Sequence, residues 1–196
     1  IDLGILCFIS LENKMVLLSS PICDFGRKMP EFKLKGLDDN FFDSQKIENY
    51  DAILIFFICN HCPYVKAIIK ELVLTSIELK KENVVSIAIM PNDTIKYPED
   101  NFENMKRFSE VNKFHFPYLL DDTQVVSKKF DAVCTPDFFG YNRNRELQYR
   151  GRLFEMKNLE IVDRKNHLLE AMQLIVKTGV GPKKQIPSSG CSIKWK

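Results

Sequence analysis

The chain has 196 residues, of which 45% are hydrophobic and 28% charged, and its formal net charge is +2. This is the balance of a soluble globular chain long enough to bury a core. With no Lys/Arg stripe carrying interleaved aromatics, nucleic-acid binding is set aside, and no apolar run approaches the ~20 residues of a membrane-spanning helix, so no membrane role is expected.

The opening "IDLGILCFIS" is apolar but lacks a basic n-region and a small-residue cleavage site, so it is a poor signal peptide. Met15 begins a plausible start, "MVLLSSPICDFG", and residues 1–14 are expected to lie outside the folded domain. We assign 1–22 as a partly irregular N-terminal extension, 23–180 as one domain and 181–196 as a tail. The missing export signal predicts a cytoplasmic location, where thiols stay mostly reduced.

"EFKLKG", 31–36, alternates and predicts a short strand. "AILIFFI", 52–58, is a continuous run of β-branched and aromatic residues. It is too short for a buried helix and predicts a central strand covered on both faces. From Pro63 to about Lys81, Val65, Ile68, Ile69, Leu72 and Ile77 recur near helical spacing, and Pro63 suits the first turn. "VVSIAIM", 84–90, is a second buried strand. "PNDTIKYPED", 91–100, is a loop of turn formers, and 101–111 a helix. "PYLLDD" holds a short strand and 122–130 a short helix. Segments 137–142 and 146–151 form a hairpin joined by "RNR". Residues 163–177 make the last helix with Asp163 as N-cap, and the Gly/Pro/Ser-rich tail beyond Gly179 is expected to be irregular. The order predicts an α/β fold: a parallel core extended by an antiparallel hairpin, with helices on both faces.

Six cysteines occur, Cys7, Cys23, Cys59, Cys62, Cys134 and Cys191, and only Cys59 and Cys62 are close in sequence. A chain of this length needs no disulfide scaffold, so their placement suits chemistry better than stapling. "CNHCP", 59–63, follows the strand 52–58 and opens the helix, at the carboxyl end of a strand where such sheets place their reactive groups. Four readings are open: a redox dithiol, a peroxide-reducing cysteine with a bystander, a metal site, or two core thiols. For the dithiol, the helix start offers free N–H groups and partial positive charge that favour a thiolate. Cys59 would be exposed there and Cys62 more buried, with His61 adding positive charge or a hydrogen bond. Thr135–Pro136 precedes a strand across the sheet from Cys59. A cis bond there would turn Thr135 backbone groups toward the sulfurs, where an incoming chain could pair.

The strand–"CNHC"–helix unit, the "TP" before a hairpin and the order of elements resemble the thioredoxin superfamily. "PEFKL", "NHCPYVKA", "MPND…YPED", "MKRF", "FPYLLDD", "CTPDFF", "YRG" and "GCSIKWK" are similar to its peroxiredoxin-like branch with a C-x-x-C motif, labelled AhpC/TSA or redoxin. The resemblance runs from about Met15 to Lys196. It implies a thioredoxin-like fold with a central mixed β-sheet, thiol redox chemistry at Cys59 and Cys62, and no cofactor. The implied partners are protein or small-molecule disulfides and a thioredoxin or glutathione reductant. Departures are visible: Ile58 stands where thioredoxins have Trp, Ile53 where they bury an Asp, and Val65 where periplasmic relatives place a Glu. No carboxylate base is therefore expected near Cys62. In the peroxiredoxin T-x-x-C-P pattern, Cys62 takes the peroxide-reducing position and Cys59 replaces the Thr. The rival enzyme reading is thus peroxide reduction at Cys62, resolved by Cys59, Cys134 or Cys191.

Blander readings stand beside these. His61 can be a solvated imidazole, and Cys134, two residues before Pro136, either a small core residue or a neighbour of the pair. Cys191 is either a resolving thiol or part of a docked tail; Cys7 and Cys23 are incidental. Asp121–Asp122 and Glu99–Asp100 fit turns or caps. A Cu(I) or Zn²⁺ binding module drawing on Cys59, His61, Cys62 and Cys134 is the non-enzyme alternative, although only one cysteine pair exists and no metal is assigned.

Overall fold

The computed structural model describes residues 17–196. Cys7 and the proposed boundary at Met15 lie outside the described residues. In chain order the elements are β1 (Leu17–Ser19), β2 (Lys33–Gly36), β3 (Phe41–Asp43), β4 (Ala52–Phe57), α1 (Pro63–Lys81), β5 (Val84–Met90), α2 (Phe102–Val111), β6 (Tyr118–Leu120), α3 (Val125–Lys129), β7 (Cys134–Thr135), β8 (Asp137–Asn142), β9 (Leu147–Tyr149), β10 (Glu155–Lys157), β11 (Glu160–Asp163), α4 (His167–Thr178) and β12 (Ser189–Ser192).

Seven strands form the main sheet in the order β3-β2-β6-β5-β4-β8-β9. β4, β5 and β6 run parallel, while β8 and β9 extend the sheet antiparallel on one side and β2 and β3 on the other. The fold is α/β and thioredoxin-like. β4 is buried along its whole length. Alternation divides it: Ala52, Leu54, Phe56 and Ile58 join the core under α1 and α4, while Ile53, Ile55 and Phe57 join the core that holds Val126 of α3 and Phe130. A strand read as apolar on every residue is apolar because both faces carry helices.

Two sequence expectations fail. Asp163 does not cap the last helix; it ends β11, which pairs with β10, and α4 begins four residues later. Its N-cap is Asn166, whose side chain accepts from the Leu169 N–H. The tail is not irregular throughout, because β12 lies antiparallel between β1 and β7. Its Gly190 fits where little else would: a Cβ there would meet the Thr135 carbonyl oxygen at 2.1 Å. The N-terminal extension likewise contributes β1. Short strands of this kind exist only through pairing between distant segments, so no local periodicity announces them.

Candidate active site

β4 ends at Phe57, and the chain turns through Ile58–His61 into α1, whose N-cap is Cys62 and whose first residue is Pro63. Pro63 fits because the first helical N–H has no partner to lose. Across from this turn, β7 leads into a cis Thr135–Pro136 bond, the isomer expected from the sequence. Thr135 faces both cysteines: its Oγ1 lies 3.3 Å from Cys59 Sγ, and its carbonyl oxygen accepts from Cys62 Sγ at 3.2 Å. Cys59, Cys62, Thr135 and Pro136 are therefore brought together.

Cys59 is not exposed as expected; it is 1% accessible, and Cys62 is fully buried. The tail is one of the segments packed on Cys62. Cys191 sits in register with Thr135 on the neighbouring strand, and its sulfur lies 2.9 Å from Cys62 Sγ. Cys134 alternates away from the pair, and its thiol donates to the Pro136 carbonyl at 3.5 Å. Cys23, also buried, packs in the opposite core with Phe139 and Tyr141.

The electrostatics also differ from expectation. Burial pushes the Cys59 thiol up, and the adjoining Cys62 and the negative charge of Asp100 push it the same way. Cys62 moves down, because the Cys191 and Cys59 thiols, the Val65 N–H and Thr135 all stabilise its thiolate. It also caps the positive end of α1. Cys191 is pushed up, chiefly by its hydrogen bond with Cys62 and then by burial. Of the two thiols, Cys62 is therefore the more readily ionised and Cys59 the less. Burial likewise raises Cys134.

His61 is half-buried and is not merely a solvated imidazole. Its Nδ1 lies 2.7 Å from Asp100 Oδ2, and its ring stacks on Tyr97 with centroids 5.9 Å apart. Asp100 is the carboxylate that the sequence reading assigned to a turn and did not expect near the pair. Fully buried, it accepts from the Asn60 N–H (2.8 Å), the His61 N–H (3.2 Å) and Asn92 Nδ2 (2.7 Å) as well as from His61 Nδ1. It therefore fixes the backbone between the cysteines, and its hydrogen bond to the ring raises the His61 pKa. Tyr118 completes the support by donating to Asn60 Oδ1 at 3.0 Å. "MPND" and "YPED" contain Asn92 and Asp100, but nothing in their local pattern distinguishes them from turn residues.

The metal-ligand set changes too. The atoms that converge are Cys59 Sγ, His61 Nδ1 and an Asp100 oxygen, all within 4.8 Å of one another. Asp100 already receives four hydrogen bonds, so a metal would have to displace the contacts that shape the loop.

The model of the AhpC/TSA family matches residues 25–167. The chain belongs to the AhpC/TSA family. Among solved structures, this AhpC/TSA protein is similar to an uncharacterized conserved protein from Geobacillus kaustophilus. The two share 38% identity with a TM-score of 0.84 over 93% of this chain and 97% of that one. It is also similar to a hypothetical protein from Sinorhizobium meliloti 1021, with 31% identity, a TM-score of 0.82 and coverage of 91% and 97%. A secreted disulfide oxidoreductase from Mycobacterium tuberculosis shares the fold at 16% identity and a TM-score of 0.52, covering 64% of this chain and 87% of that one. No curated protein matches the sequence. AhpC/TSA membership and this fold make the protein a thioredoxin-fold oxidoreductase. Among the described residues, no helix is long and apolar enough to cross a membrane.

Proposed function

We propose that the protein is a thiol–disulfide oxidoreductase whose redox couple is Cys59 and Cys62. The observation that carries this is the pair of cysteines at the start of α1, both in contact with Thr135. Cys59 attacks a substrate disulfide. Cys62, the more readily ionised of the pair, takes the Cys59 proton so that Cys59 attacks as the thiolate; the substrate S–S bond breaks, that proton passes to the departing thiolate, and a mixed disulfide remains on Cys59. Cys62, left as the thiolate once that proton has gone to the leaving group, attacks Cys59 Sγ and expels the second substrate thiolate. Cys59 takes the first step because the Cys62 sulfur is already packed against Cys191, 2.9 Å away.

The substrates are protein or small-molecule disulfides, and a thioredoxin- or glutathione-type system in the cytoplasm returns the couple to the dithiol. A hollow of about 390 Å³ is lined in part by Tyr64 of the first turn of α1, Pro136, Phe138 and Phe154, and offers apolar surface to a substrate chain.

The test is mass mapping across a glutathione redox series. A reversible 59–62 disulfide is expected, and its absence at every poise ends the reading. The lowered Cys62 pKa also favours a second reading, peroxide reduction through a Cys62 sulfenate. Stopped-flow peroxide consumption separates the two: rapid turnover that needs Cys62 but survives Cys59→Ser selects the peroxidase.

A further inference from the structure

We propose that Cys191 is a third catalytic thiol, which takes over the disulfide from Cys59 by forming a Cys62–Cys191 bond. The inference rests on the Cys59–Cys62 reading above and extends it. The tail is built into this position. β12 pairs with the Thr135 edge, Cys191 opposite Thr135 and Ser192 opposite Cys134, and on its other side β1 pairs with Ser189–Cys191. Gly190 allows an approach to the Thr135 backbone that any Cβ would block.

Beyond β12 the chain is tied to the same loop that shapes the cysteine turn. The Lys194 N–H donates to Asn92 Oδ1 at 2.9 Å, the Lys194 carbonyl accepts from the Asp93 N–H at 2.8 Å, and Asn92 holds Asp100. Lys194 Nζ also stands 5.7 Å over the Tyr97 ring on which His61 stacks. The tail therefore places one sulfur against Cys62 while sharing the network that holds residues 60 and 61.

The step balances within the chain. In the oxidised state Cys59 and Cys62 are joined. The Cys191 sulfur attacks Cys62 Sγ, the 59–62 bond breaks, the 62–191 bond forms, and the Cys191 proton ends on Cys59. No net oxidation occurs; the two oxidising equivalents from the substrate disulfide move to Cys62–Cys191. Cys59 is then a thiol again while the first disulfide is stored. An external dithiol later reduces the 62–191 bond to two thiols and is itself oxidised to a disulfide. β12 also occupies the Thr135 edge with which an incoming substrate strand would pair, so the same segment governs access to the site.

The full chain, equilibrated in glutathione buffers, quenched with acid, alkylated and mapped by mass spectrometry, tests this. Wild type should contain both disulfides. Cys59→Ser should contain only 62–191, and Cys191→Ser only 59–62, with its return to the dithiol by an external dithiol slowed at least tenfold. Gly190→Ala retains every sulfur but cannot keep the close approach; its yield of 62–191 should fall at least fivefold while 59–62 persists. If Cys59→Ser forms no 62–191 disulfide at any poise while Cys191→Ser forms 59–62, the role of Cys191 is overturned and the oxidoreductase reading stands. If Cys191→Ser forms no 59–62 disulfide, the underlying reading fails and the relay fails with it.

Discussion

Asp100→Asn is the most informative change at the site outside the cysteines. The carboxylate takes four hydrogen bonds, two on each oxygen. An Asn can keep its carbonyl toward the Asn60 and His61 N–H groups. Its amide nitrogen then faces Asn92 Nδ2, donor against donor, and His61 Nδ1, which can accept only when the ring is neutral at that atom. The loss is one charge-assisted bond to His61 and one to Asn92, each worth about 1.5–3 kcal/mol, less what the His61 tautomer recovers. A destabilisation of about 2–4 kcal/mol follows. Asp100→Ala strands four buried or half-buried donors and should cost about 3–6 kcal/mol.

The pH dependence has a definite sign. Asp100 raises the folded His61 pKa above its ordinary 6.5. The stabilisation is therefore fully present below 6.5 and is lost as pH rises through the folded value. Urea unfolding at stepped pH, with the His61 ring proton followed by NMR, measures both quantities. In Asp100→Asn the His61 midpoint should fall and the difference in stability from wild type should shrink above that window. An unchanged midpoint, or a stability difference that does not vary with pH, refutes the argument. The same variant removes a charge that raises Cys59, so iodoacetamide should alkylate Cys59 at lower pH than in wild type.

Three further outcomes are expected. Arg150 Nη2 and Asp137 Oδ2 are 2.9 Å apart, with side chains 5% and 0% exposed, so Arg150→Met leaves a buried carboxylate unpaired and should destabilise by about 3–5 kcal/mol in chemical denaturation. Burial pushes Asp137 up to about 6 despite Arg150; the folded state then binds the extra proton, and this residue's contribution to stability should decline as pH rises from about 4 to about 6 and level off above, a slope missing from Asp137→Asn. At the start of α4, Asn166→Ala should cost about 1–2 kcal/mol in thermal or urea unfolding, because Asn166 caps Leu169 and also donates to Thr75 Oγ1 at 2.7 Å, whereas Asp163→Ala should cost well under that.

The sequence by itself determined whatever local chemistry or periodicity specifies. The run 52–58 could only be a strand covered on both faces, the spacing from Val65 to Ile77 made α1, and C-x-x-C-P at their junction placed two thiols on a helix start. The Thr-Pro before β8 was legible because its place in the order of elements puts it across from that start. Only the tertiary structure decided the rest. Asp100 reads as a turn residue until the loop 91–100 folds back and buries it against His61. The tail reads as irregular because a four-residue strand has no period of its own; Gly190 and Cys191 acquire roles through pairing with Thr135, 56 positions away from Cys191. Charge followed the same rule. A helix start favours a thiolate at either cysteine, but which one ionises more readily depends also on Cys191 and Thr135, brought to Cys62 from distant strands.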